Sequence, residues 1–254
     1  GREAEAPGRG SRVSPVQIGI LGGTGPAGSA LGVRLASVGF DVVIGSRSKY
    51  RAMEVVDKLH EKWGDRHLPI AAGDNAAAAA ADVVVIATPW DAAYGTATSV
   101  AEALDGKVVI CMANALTRIG NEFQPLVPPR GSVAASVQAA VPGCRVAAAF
   151  HHVPAKELGD LSHPIESDVL ICSDFQDATD VTSDIVAKVP NMRPLDAGGL
   201  SQATPIESFT AVLLQLNVHY KTRVAVKFTG IPDRPVDGAA APAAGDGAAP
   251  EGTH

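Results

Sequence analysis

Apolar runs and amphipathic stretches alternate along the middle of the chain. Residues 16–21 read as a strand, 27–38 as a helix closed by Gly39, and 41–44 as a second strand. A polar amphipathic helix is expected over 49–63. A short strand near 68–72 precedes Asp74 and Asn75, residue types suited to cap an alanine-rich helix reaching Ala81. Residues 83–87 (Val-Val-Val-Ile-Ala) have no polar position, as befits a central parallel strand covered on both faces. That strand stops at Thr88-Pro89-Trp90, because proline cannot continue a ladder. Residues 108–111 and 145–150 supply two more strands, separated by a looser stretch and a helix near 132–141. This rhythm predicts an α/β fold with a doubly wound parallel sheet of the Rossmann type.

Beyond residue 150 the pattern changes. Residues 151–155 read as a loop, 169–172 as a strand, 175–189 as a helix and 192–195 as a short extended piece. A long helix is expected over 205–220, with Thr204 as N-cap, Pro205 at the first helical position and Glu207 closing a capping box. That arrangement gives Glu207 a structural task. The expected organisation is a dinucleotide-binding domain over 16–150 and a smaller C-terminal α+β domain over 151–230. Residues 1–15 and 231–254 are rich in Gly, Pro and Ala and are expected to be a disordered arm and a low-complexity tail.

The turn after the first strand carries the strongest chemical signal. In Gly22-Gly23-Thr24-Gly25-Pro26-Ala27-Gly28, glycines 23, 25 and 28 fit the G-x-G-x-x-G spacing between a strand and a helix. One serves a tight turn, one the approach of a pyrophosphate to the backbone, one close helix–strand packing. The helix N-terminus behind them offers free N–H groups and the positive end of a dipole. At the end of the second strand, where an adenine ribose lies in such folds, stands Ser46-Arg47-Ser48. A carboxylate there selects NAD, whereas Arg47 accommodates a 2′-phosphate, so the expected cofactor is NADP(H). Ser46 and Ser48 add hydroxyl groups, and Lys49 and Arg51 enlarge the positive patch.

Composition removes several classes of partner. A formal charge of −6 and an aromatic content of 4% argue against nucleic acid, which calls for basic faces and stacking platforms. No apolar run approaches the about 20 residues of a membrane span, and residues 1–15 lack the apolar segment of a secretory signal. Cys111, Cys144 and Cys172 are too scattered for a disulfide frame or a zinc site, which favours a reducing cytoplasm. A homodimer is the assembly expected.

Ligands of open α/β sheets gather beyond the carboxyl ends of the strands. That rule selects Thr88, Pro89 and Trp90, then Met112-Ala113-Asn114, then His151-His152. Trp90 either walls the cofactor groove or belongs to the core. Asn114 either reaches the nicotinamide ribose or carboxamide, or bonds a turn. His151 either hydrogen-bonds a substrate ring or serves the fold. Adjacent histidines with no carboxylate or cysteine at ligand spacing do not suggest a metal. No nucleophile elbow, Ser/His/Asp order or Lys or Tyr proton donor is evident, so the expected reaction needs little protein acid–base chemistry.

Residues 18–26, 44–48 (Ile-Gly-Ser-Arg-Ser), 88–90, 148–154 (Ala-Ala-Phe-His-His-Val-Pro), 192–193, 197–198 and 207–208 together resemble the NADPH-dependent reductases of coenzyme F-420 (F420), an 8-hydroxy-5-deazaflavin. The resemblance spans about residues 16–229, and the alanine-rich character fits the actinobacterial type. It implies a deazaflavin in the cleft between the two domains and reversible hydride transfer between nicotinamide C4 and deazaflavin C5. Two hydride carriers have to be held face to face at about 3–3.5 Å and kept from water. Similar proteins often have proline near Ala115, a departure that bears on the Asn114 contact. The phosphate and glutamates of the deazaflavin tail imply basic contacts, with Arg193, Lys156 and Lys221 as candidates. The alternatives are an NADP-dependent reductase of a small imine or carbonyl and a non-catalytic NADP(H)-sensing protein.

Overall fold

The computed structural model describes residues 16–232; the arm expected at 1–15 and nearly all of the tail expected at 231–254 lie outside them. The chain runs through β1 (Gln17–Leu21), α1 (Pro26–Ser37), β2 (Asp41–Ser46), α2 (Lys49–Lys62), β3 (Ile70–Asp74), α3 (Asn75–Ala79) and β4 (Val83–Ile86). It continues through α4 (Ala93–Ser99), α5 (Ala101–Leu104), β5 (Val108–Cys111), β6 (Leu116–Ile119), β7 (Glu122–Pro125), α6 (Val133–Ala140) and β8 (Arg145–Ala148). It ends with α7 (Ala155–Leu158), β9 (Ser167–Ser173), α8 (Gln176–Ala187), β10 (Met192–Asp196) and α9 (Ala203–Tyr220).

An eight-stranded sheet in the order β3-β2-β1-β4-β5-β8-β9-β10 forms the middle layer. From β3 to β8 the neighbours are parallel; β9 runs antiparallel to β8, and β10 parallel to β9. Strands on both sides of residue 150 therefore share one sheet. Side-chain alternation assigns each strand to two cores. Val83 and Val85 of β4 join the core made with α1, α2 and α8, while Val84 and Ile86 join the one made with α3, α4 and α6. Each such fully buried side chain contributes about 1.5–3 kcal/mol, which is why these apolar runs form the centre of the sheet.

Two expectations change. The stretch after β5 holds a hairpin, β6–β7, turned by Gly120 at φ 61°. Its strands are short and mostly exposed, which is why periodicity does not reveal it. The hairpin leans on α9, where Phe123 N–H donates to Gln215 Oε1 at 3.2 Å. Second, α9 begins at Ala203, and its N-cap Gln202 makes no side-chain cap bond. The Thr204–Glu207 capping box does not form, because the Glu207 carboxylate is engaged by another helix.

Buried Arg34 ties the segment after β8 to α1. Its guanidinium donates to the carbonyls of Leu158 (2.8 Å), Glu157 (2.9 Å) and Asp160 (2.7 Å), closing the C-terminus of α7. Desolvation lowers its pKa, and the Asp160 charge opposes that. This clasp fixes the loop that carries the histidine pair against the first helix.

Candidate functional site

The corner where β1 meets α1 is shaped by glycines with different tasks. Gly22 adopts φ 66°, and a Cβ there would lie 2.6 Å from Thr88 Cγ2, so the left-handed turn falls one residue before the G-x-G-x-x-G set. A Cβ on Gly28 would lie 2.8 Å from Gly23 Cα and 3.0 Å from Ala87 Cβ, so this glycine lets α1 settle on the strand ends. At Gly25 a Cβ would meet no protein atom closer than 3.7 Å. Packing makes no demand for glycine at that position, whereas a phosphate approaching the helix does. Gly25 is the N-cap of α1, offers no side-chain cap, and is followed by Pro26 in the first turn, with no acidic residue there. Gly25 N–H itself donates to Gly22 O at 3.3 Å and Pro26 has none, so the N–H groups this helix end offers to an anion are those of Ala27 and Gly28.

The end of β2 stands beside this turn, with Gly23 N–H donating to Gly45 O at 2.8 Å. Ser46 is buried and its Oγ accepts from Ser48 N–H at 3.2 Å. The Ser48 hydroxyl caps α2 by accepting from Arg51 N–H at 3.4 Å. Arg47, Lys49 and Arg51 are exposed around this corner, so their cations are accessible to a ligand. After β4, the Thr88 hydroxyl is buried beside Gly22 without a hydrogen-bond partner. Pro89 is exposed, and Trp90 lines a cavity of about 450 Å³ with Tyr94 and Arg130, between α4 and α6.

The second half of the site begins at Phe150, whose φ of 67° is left-handed. For a residue with a bulky side chain this conformation costs about 1–2 kcal/mol, held here by burial of the ring. The turn sends both His151 and His152 inward, with ring centroids 6.4 Å apart. His152 Nε2 donates to Ile206 O at 2.7 Å, which anchors that ring to α9. His151 differs: both of its ring nitrogens are buried without a partner. Desolvation, with His152 as the lesser cause, pushes its pKa down to about 3, so the imidazole is neutral. Each unmet ring nitrogen carries a penalty of about 1–3 kcal/mol that a bound ring with matching polar atoms would relieve.

His151, Asn114, Met112, Phe150, Thr210 and Ala27 line a cavity of about 260 Å³ at the carboxyl ends of β5 and β8. Thr210 Oγ1 donates to Asn114 Oδ1 at 2.9 Å, so α9 orients this amide across 96 residues of chain. One turn earlier, Glu207 accepts from the N–H groups of Val133 and Ala134 at 2.9 and 3.1 Å, capping α6 beside the Ser132 cap. Burial pushes its pKa up to about 7, with these two donors opposing.

The structure thus gathers Gly23, Thr24, Gly25, Pro26, Gly28, Thr88 and the 46–48 corner at one end, and Asn114 with His151 at the other. Ala27 in the first turn of α1 borders the latter cavity, joining the two ends. Arg193 is not brought in. Its guanidinium is bound to the Asp168 carboxylate (2.8 and 2.6 Å) and the carbonyls of Phe228 and Ile231 (2.7 Å each), strapping residues 228–231 to the sheet edge. Sequence reasoning missed Thr210 and the true partner of Glu207. Neither has a local signature, since each acts on a distant element.

A family profile described as NADP oxidoreductase coenzyme F420-dependent matches residues 17–115. An F420-dependent NADP reductase of Methanothermobacter marburgensis is 35% identical over 228 residues, 86% of this chain and 100% of that protein. Another, from Methanocaldococcus jannaschii, is 35% identical over 213 residues, 82% of this chain and 95% of that protein. A solved structure from Arthrobacter sp. FB24 superposes with a TM-score of 0.68 at 23% identity, over 82% of this chain and 99% of that one, a likeness of fold.

Proposed function

This chain belongs to the F420-dependent NADP reductases, and from that premise we propose which of its residues carry the activity. It is an oxidoreductase that transfers a hydride between NADP(H) and the deazaflavin coenzyme F420. The observation that carries the residue assignment is the pairing of a phosphate-ready helix end at Gly25 with a neutral, unpartnered His151 whose cavity is also lined by Ala27 in the first turn of that helix.

In this reading the N-terminus of α1, through Gly23, Thr24, Gly25, Pro26 and Gly28, holds the pyrophosphate of NADP(H). Arg47 grips the 2′-phosphate with its guanidinium fork, supported by Ser46, Ser48 and Arg51. Thr88, Pro89 and Trp90 form the wall along the strand ends. Asn114, aimed by Thr210, and His151, donating from whichever ring nitrogen bears its proton, fix the rings within the cavity. When bound, the two cofactors supply the hydride donor and acceptor. The protein orients them, and the apolar flank of α9 (Leu213, Leu214) helps keep water out.

Bleaching of the deazaflavin's visible band on mixing the purified protein, NADPH and oxidised F420 is the expected result. Folded protein that binds NADPH but turns over only a small imine or carbonyl, or nothing, overturns the reading. A homodimer is proposed on the exposed apolar positions of α9, where Phe209, Val212, Leu216 and Tyr220 are 40%, 49%, 36% and 67% accessible. Sedimentation of a single monomeric species at assay concentration sinks it. Among the described residues no helix is long and apolar enough to cross a membrane, and a cytoplasmic location is proposed with it.

A further inference from the structure

One wall of the His151 cavity is supplied by the segment that leaves α9. Val224 lines that cavity beside Asn217, whose Oδ1 accepts from Val224 N–H at 2.7 Å. Residues 222–231 form neither helix nor strand, and most of them are exposed. No ladder fixes their course, so their position depends on the few groups that reach out to them.

Those groups converge on the start of β9. β8 pairs with the other end of that strand, at Cys172 and Ser173. At its start Ser167 N–H turns to Asn191 O beside β10 (3.2 Å), and Asp168 N–H points the opposite way, to Val226 O (2.7 Å). The buried Asp168 carboxylate accepts from Phe228 N–H at 2.6 Å. It also holds Arg193, whose remaining donors grip the carbonyls of Phe228 and Ile231. Glu166, next to this node, pairs with Lys227. A buried ion pair adds little stability by itself, because desolvation offsets its attraction. Here it sets the register of the strap, and with it Val224, four residues before Phe228.

The cavity volume gives that register a purpose. About 260 Å³ lies below the about 300–1,000 Å³ of ordinary small-molecule sites, whereas two cofactor rings have to meet there. A wall has to yield to admit them and then return. β5, β8 and α9 contribute to the packed cores, and the loop after β8 is clasped by Arg34. The strap is the wall held by a few side-chain and backbone bonds.

We propose that residues 222–231 are a closing strap of the ring site, latched at Asp168 through Arg193, and that Asp168 is a positioning residue for hydride transfer, acting through Val224. The proposal rests on the ring site at His151.

Amide hydrogen exchange of the unmodified full chain, with and without saturating oxidised F420, tests the strap directly. Val224 and Phe228 N–H should each slow about ten-fold or more on binding. The neutral pair Asp168→Asn with Arg193→Gln removes the latch without stranding a buried charge. It should raise the KM for F420 about ten-fold, while the Kd of NADPH stays within about two-fold. Val224→Ala should raise that KM about five-fold in the unmodified chain but less than about two-fold in the neutral-pair background, because the latch acts through this residue. Equal losses for F420 and NADPH, or additive effects of the two changes, overturn the proposal by giving Asp168 a general structural role. If the neutral pair does not fold, exchange at Val224 and Phe228 in the unmodified chain decides. F420 turnover with exchange unmoved at both amides overturns the strap alone. A chain that neither binds nor turns over F420 has no ring site at His151, and the strap falls with it.

Discussion

At the Gly22–Arg51 corner the proposed binding groups are backbone N–H donors and exposed cations that follow one another along the chain. At His151 they are side chains delivered by β5, β8 and α9 and fixed by bonds that span 96 residues (Thr210 to Asn114) and 54 (His152 to Ile206). The first corner is open, polar and local; the second is buried, neutral and assembled. The difference follows from the ligands. Phosphates are met by helix ends and charges that a strand–turn–helix already contains. Aromatic rings need an enclosed wall with a few aimed polar atoms, which one segment cannot supply.

The largest expected effect tests the local corner. Gly25→Ala adds a Cβ that meets no protein atom closer than 3.7 Å, so the melting temperature should hold while the NADPH Kd rises about 100-fold or more. A parallel fall in melting temperature would show that Gly25 serves packing. Next, Arg47→Asp removes the guanidinium fork and adds an acceptor for ribose hydroxyls. The ratio of kcat/KM for NADPH over NADH should drop by about 10–100-fold, the worth of a charge-assisted contact. An unchanged ratio places the 2′-phosphate elsewhere.

The assembled half is probed by stability. Glu207 holds a proton more tightly when folded, its pKa being raised from 4.5 to about 7 by burial. Its protonated form therefore favours folding below about pH 4.5, and this contribution is lost as pH climbs toward 7. Glu207→Gln should flatten that fall in denaturant titrations at pH 5 and pH 7, while costing about 1–2 kcal/mol through the weakened α6 cap. An undiminished pH slope would assign the effect to another group. The smallest expected effect is at His151. With its pKa pushed down to about 3, the His151 ring should contribute no inflection to kcat between pH 5 and 8, so His151→Asn should leave the shape of the profile unchanged. An inflection near 6.5 that disappears in His151→Asn would mean the ring ionises during turnover.

The legibility of the two halves follows the same division. Gly23, Gly25, Gly28 and Arg47 can be proposed from sequence because the task assigned to them depends on immediate neighbours: a strand before, a helix after, a charge at the next strand end. His151 and Asn114 can be located, since strand ends collect ligands, but nothing near them in sequence states what orients them. Glu207 shows why. Three residues after a threonine and before an apolar run, it has the local form of a capping box, yet its carboxylate caps a helix 74 residues away. Arg193 is the converse, a plausible anion contact in sequence that the fold binds to Asp168.

By itself, then, the sequence determined the parallel sheet, the glycine turn and the choice of NADP(H), because periodic burial and glycine geometry act over a few residues. Only the tertiary structure decided that α9 aims Asn114 and caps α6, that β9 and β10 extend the same sheet, and that Arg193 is spent on Asp168. Those outcomes depend on which distant groups reach each other once water is excluded, and short-range pattern holds no record of that.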